Sequence, residues 1–107
     1  MNRIEKDSDG FLIDPSVWNH EVADALAQEF DTKLTKEHWL IVTYIREYFD
    51  KHQKVPELRH LLKYFKNKYG VEKSSRKYVY DLFPYGYGQQ ACKIAGMRQP
   101  KKLWLDM

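Results

Sequence analysis

At 107 residues, with 43% hydrophobic and 15% aromatic content, the chain suits one domain around a single modest core, with no need of disulfides or a metal to hold it. Its one cysteine excludes an intramolecular disulfide and fits a reducing, cytoplasmic setting; the charged start Met1 to Asp7 lacks a signal peptide's apolar run, and no stretch approaches membrane-spanning length. The net charge of +3 conceals an asymmetry: residues 1–53 carry 6 Lys/Arg against 11 Asp/Glu, a balance of −5, while residues 54–107 carry 12 against 4, a balance of +8.

Arg3 to Lys6 and Phe11 to Ile13 flank the turn cluster Asp7-Ser8-Asp9-Gly10, which predicts a short N-terminal β-hairpin. Asp14-Pro15 then reads as an N-cap and first helical residue, opening an amphipathic helix to about Glu29 with Trp18, Val22, Ala25, Leu26 and Phe30 on its apolar face. Thr35 caps a helix to about Lys51 that is apolar around most of its circumference, from Trp39 to Phe49, and is expected at the centre of the bundle as its most buried element. Val55-Pro56 begins a third helix, which repeats Leu58, Leu61, Leu62, Phe65 and Tyr69 at helical spacing and stops at Gly70. Ser74 or Ser75 caps a fourth, with Tyr78, Val79, Leu82 and Phe83 inward and Pro84 as its stop. Gln89 to Ala95 form a short fifth helix that holds Cys92 and ends at Gly96. The expected architecture is all-α: a small orthogonal bundle of about five helices with the N-terminal hairpin, a body over 1–96 and a C-terminal arm over 97–107.

Cys92 carries two readings. As an ordinary lone cysteine it is a small buried hydrophobe. As a functional thiol it takes part in sulfur chemistry or a mixed disulfide, because its helical neighbours Gly88, Ala95 and Gly96 leave room beside the sulfur. Lys93 points to another side of the helix. His20, His38, His52 and His60 lack metal-site spacing, so neither metal nor cofactor is expected, and no catalytic triad, phosphate loop or carboxylate pair suggests autonomous catalysis. Lys63, Lys66, Lys68, Lys73, Arg76 and Lys77, interleaved with tyrosines on two helices joined near Gly70, allow a helix-turn-helix nucleic-acid surface as an alternative to a solvated basic face.

The run Gln90-Ala91-Cys92-Lys93-Ile94-Ala95-Gly96, with Phe83-Pro84 before it and Pro100 after it, resembles the C-terminal signature of the DsrC/TusE family of sulfur-trafficking proteins. Leu34-Thr35-Lys36-Glu37-His38-Trp39, Ile45-Arg46, Pro56 to Arg59 and Leu62 to Gly70 extend the resemblance over nearly the whole chain. It implies the helical fold and a sulfur-relay role with protein partners. In the family a mobile arm carries a persulfide on its penultimate cysteine, from a TusBCD-type complex toward tRNA thiolation or between dissimilatory sulfite reductase and its membrane oxidant. It also implies that Cys92 matches the inner of two cysteines. Here the outer position, eleven residues on, is Leu103, and the penultimate residue is Asp106. The sequence therefore points to a divergent relay protein that works by docking, with Cys92 as the one residue able to carry sulfur. Lys93, Arg98, Lys101, Lys102, Leu103, Trp104 and Leu105 are its candidate partner contacts.

Overall fold

A computed structural model describes residues 5–99. Five helices follow one another: α1 (His20–Gln28), α2 (Lys36–His52), α3 (Leu58–Tyr69), α4 (Arg76–Leu82) and α5 (Cys92–Ile94), the last continuing from a π-helical turn over Tyr87–Ala91. Leu26, Ile41, Ile45, Leu61, Phe65, Val79, Phe83 and Cys92 all belong to one buried cluster drawn from every helix. No helix among the described residues is long and apolar enough to cross a membrane.

The local signals for α2, α3 and α4 work as chemistry. Thr35 and Glu57 each donate their backbone N–H to the Nδ1 of a histidine three residues on, His38 and His60, at 3.1 Å, so a ring nitrogen closes the capping box. Because Nδ1 of His38 accepts, its Nε2 holds the proton, which it donates to the Leu82 carbonyl at 2.9 Å. One imidazole thus ties the start of α2 to the end of α4. Ser75 caps α4 through the Tyr78 N–H, and Gly70, at φ +93, ends α3.

Three expectations are corrected. The N-terminal hairpin is absent: the described residues hold no strand, only one antiparallel bridge between Lys6 and Leu12. Asp7 Oδ1 accepts the N–H groups of Asp9 and Phe11, both at 2.9 Å, forming a side-chain-closed loop. Phe11 and Leu12 are then both buried, which the alternating faces of a strand do not permit. The helix expected from Asp14 to Glu29 breaks in two. Asp14 caps a 3-10 turn over Pro15–Val17, Trp18 is extended at ψ 141, and Asn19 caps α1 by accepting the Val22 N–H at 2.9 Å. The break frees the Trp18 indole to turn toward α5. Finally, the most continuously buried stretch is not α2 but residues 86–97, where only Gln89 and Lys93 reach solvent.

Two measurements check this packing. Leu61, fully buried on α3, should lose about 2–5 kcal/mol of stability as Leu61→Ala. His38 is held below its ordinary pKa, chiefly by burial and against the opposing bond to Leu82. A depressed imidazole contributes its stability above about pH 6.5, and that contribution is lost as pH falls through the folded value. Urea midpoints should therefore fall from pH 7.5 to 5 by more in the wild type than in His38→Gln; equal slopes would show that this ring does not sense pH.

Candidate functional site at Cys92

The segment that holds Cys92 is fixed at its entry by an amide. Gly86, at φ +103, turns the chain after Pro84-Tyr85, and the buried Gln90 accepts the Tyr85 N–H at Oε1 and donates from Nε2 to Thr32 Oγ1, both at 2.9 Å. Both ends of a buried polar side chain are thus satisfied, and the turn is bound to the α1–α2 loop. The Tyr87 hydroxyl donates to the Pro56 carbonyl beneath α3.

The exit is fixed more firmly. Gly96, at φ +76, donates to the Lys93 carbonyl at 3.0 Å and Met97 to the Cys92 carbonyl at 3.1 Å, which is the Schellman arrangement. The remaining terminal carbonyls are taken from a distance: Trp18 Nε1 donates to Ile94 O at 2.8 Å and Arg46 Nη1 to Ala95 O at 3.2 Å. Arg46 also donates from Nη2 to Pro15 O at 3.2 Å, and its guanidinium lies 4.5 Å from the Trp18 ring centre. Burial lowers the Arg46 pKa while Asp50 opposes the shift, and a guanidinium so placed keeps its charge at the negative end of the helix.

Cys92 itself is 0% exposed. The room that the sequence offers at Gly96 is filled by the protein, since a Cβ there would lie 2.3 Å from Trp18 Cδ1. Lys93 extends over the Phe11 ring, 4.9 Å away, and packs beside Gly10. Arg98 is exposed and adds to the lowering of the Asp14 pKa, which comes first from the backbone and hydroxyl of Ser16. Gln99 Nε2 donates to Asp9 Oδ2 at 2.8 Å. Lys101, Lys102, Leu103, Trp104 and Leu105 lie outside the described residues.

The basic band does not act as a unit. Lys73 is engaged by Glu37, which also accepts from the Tyr78 hydroxyl, and Lys77 pairs with Asp81 at 2.7 Å, while Lys63, Lys66 and Lys68 stand on α3. The helix-turn-helix reading gains no support from this. Among the described residues no group of three or more His, Cys, Asp or Glu is placed to hold a metal ion. Gln90 and Arg46 fall in stretches that carry the family resemblance and Trp18 and Thr32 do not, but nothing local to any of the four marks it as binding the Cys92 segment in place; they act across 76, 49 and 58 positions of sequence.

The model of the family described as DsrC-like protein matches residues 1–103. The chain belongs to the DsrC/TusE family. It is 40% identical over 99 residues to the sulfurtransferase TusE of Photorhabdus laumondii, covering 92% of this chain and 89% of that protein. Its fold matches the oxidized gamma subunit of the dissimilatory sulfite reductase (DsrC) of Archaeoglobus fulgidus with a TM-score of 0.84 at 39% identity, covering 92% of this chain and 90% of that one. Against Allochromatium vinosum DsrC the TM-score is 0.83 at 40% identity, over 94% and 90%. The DsrC/TusE framework is therefore present from the Lys6–Leu12 loop to the Cys92 helix.

Two glycines separate backbone strain from packing. Gly70→Ala at φ +93 meets nothing within 4 Å and should cost about 1 kcal/mol, whereas Gly96→Ala adds a collision with Trp18 and should cost at least about 2 kcal/mol more. Equal destabilisation in chemical unfolding would show that the indole does not hold the Gly96 turn.

Proposed function

We propose that this DsrC/TusE sulfur-relay protein acts by docking to relay or sulfite-reductase-type partners, with Cys92 serving in its resting fold as an internal thiol. The burial of Cys92 carries this reading. Sulfane transfer requires the acceptor thiolate to attack the terminal sulfur of a donor persulfide, forming one S–S bond while the donor's S–S bond breaks and leaves as a thiolate. That attack needs a nearly linear approach, and Trp18, Arg46 and Gln90 hold closed the segment around Cys92. The position that matches the family's outer cysteine is Leu103, which has no sulfur to attack with.

Docking is what the retained framework can still do. The fold, the arm root at Gly96-Met97 and the arm residues Arg98, Lys101, Lys102, Leu103, Trp104 and Leu105 supply partner contacts of the kind a relay protein needs, basic and apolar together. Such a member would regulate access to a relay partner and would not pass sulfur along. A lone thiol protected in this way suits the reducing cytoplasm.

Intact mass after incubation of the native protein with a cysteine desulfurase and cysteine tests the reading. The mass should stay unchanged. A gain of about 32 Da that reductant removes and Cys92→Ser abolishes would make the protein a carrier and overturn the proposal.

A further inference from the structure

Away from Cys92, the α2–α3 face carries an open groove that the relay reading does not use. Two clefts of about 330 and 360 Å³ share Tyr44, Glu47 and Tyr64 and run into one another. Their floor is a ladder of rings: Tyr44 lies 5.0 Å from Tyr64 and 6.0 Å from Tyr48, and Tyr48 stacks on His60 at 5.8 Å with 14° between the planes. Rings at these separations are largely committed to one another, and they present a rigid, amphipathic surface.

Three of the four charged side chains among the residues that line the groove, Lys36, Lys51 and Lys68, are cationic. Tyr44 is pushed up to about 12, first by burial and then by Tyr48 and Tyr64, so it keeps its proton; neither its hydroxyl nor that of Tyr48 has a hydrogen-bond partner among the described residues. Lys36, Lys51 and Lys68 line the walls, and none of them is within ion-pair distance of a carboxylate among the described residues. Glu47 is the one acidic residue among the described residues that line either cleft. From α3 the clefts take Tyr64, Phe65, Lys68 and Tyr69, and that helix carries no acidic residue between Leu58 and Tyr69. Lys68 also donates to the Tyr64 hydroxyl at 3.4 Å. What the groove offers a carboxylate is therefore the Tyr44 and Tyr48 hydroxyls and ammonium groups without a carboxylate partner among the described residues. With the aromatic floor, these are complementary to a segment that brings carboxylates and apolar side chains together.

We propose that the α2–α3 groove is a docking site for an acidic, apolar peptide segment of a protein partner. This gives the docking reading an address, and it rests on that reading only for the partner's identity. Carboxylates of the segment would bridge Lys51 and Lys68 and accept from the tyrosine hydroxyls, while its leucine or phenylalanine side chains pack on Tyr44 and Tyr64. The site lies apart from Cys92, so sulfur loading and groove binding are separable.

The probe is a synthetic dodecapeptide alternating Glu with Leu and Phe, titrated into the full chain while amide shifts are followed by NMR. Shifts should centre on Thr43, Glu47, Lys51 and Lys68. The double variant Lys51→Glu, Lys68→Glu should weaken binding at least about tenfold, and Lys63→Glu, Lys66→Glu, with the same change in net charge but outside the groove, less than about twofold. All four side chains are exposed, so both variants should fold. Shifts elsewhere, no saturable binding, or equal weakening by the two variants would overturn the proposal. So would a single-stranded oligonucleotide that displaces the peptide from the same residues. A persulfide found on Cys92 would sink the docking-only function and leave the groove result standing.

Discussion

The structure depends on how the carbonyl end of α5 is satisfied. A helix of three residues leaves its terminal carbonyls without internal partners, and here that end is buried, where an unmet carbonyl costs about 1–3 kcal/mol. Trp18 and Arg46 meet two of them, and Arg46 binds Pro15 as well. Three distant parts of the chain, the turn at Pro15, the middle of α2 and the Cys92 helix, are therefore held by one stacked indole–guanidinium pair. The broken helix before α1 follows from the same demand, because a continuous helix through Trp18 would not turn the indole to Ile94.

For sulfur chemistry the consequence is a thiol placed on the inside of the contact network. In the sequence, small residues around Cys92 read as an approach path to the sulfur. In the structure they are room for the protein's own side chains, with Gly96 making space for Trp18. The same glycines fit both readings, and the difference is set by a residue 78 positions earlier in the chain. In the proposed docking role, an enclosed inner thiol and a Leu103 at the outer position would leave the work to surfaces such as the tyrosine groove of α2 and α3.

Much of the fold was legible because its signals are local. Thr35, Gly70 and Ser75 punctuate α2, α3 and α4 within one residue of where the helices begin or end, since capping is settled by neighbours three or four positions away. The N-terminal hairpin was misread for a complementary reason: Asp-Gly flanked by apolar residues is a good hairpin signal, yet the core takes both Phe11 and Leu12, and a tertiary contact then overrides the strand period. The family run around Cys92 was visible as a motif, whereas the clamp was not, because Trp18 looked like part of an amphipathic helix and nothing beside Arg46 says which distant carbonyls it reaches. Their role exists only once the chain has folded.

The central claim is that Cys92 is enclosed, and native-state thiol labelling tests it most directly. In folded protein, Cys92 should react with a small thiol reagent only through opening of the 86–97 segment, many times more slowly than in the unfolded chain, and Arg46→Met should raise the rate by loosening the clamp. Labelling of the folded wild type as fast as the unfolded chain would contradict the account.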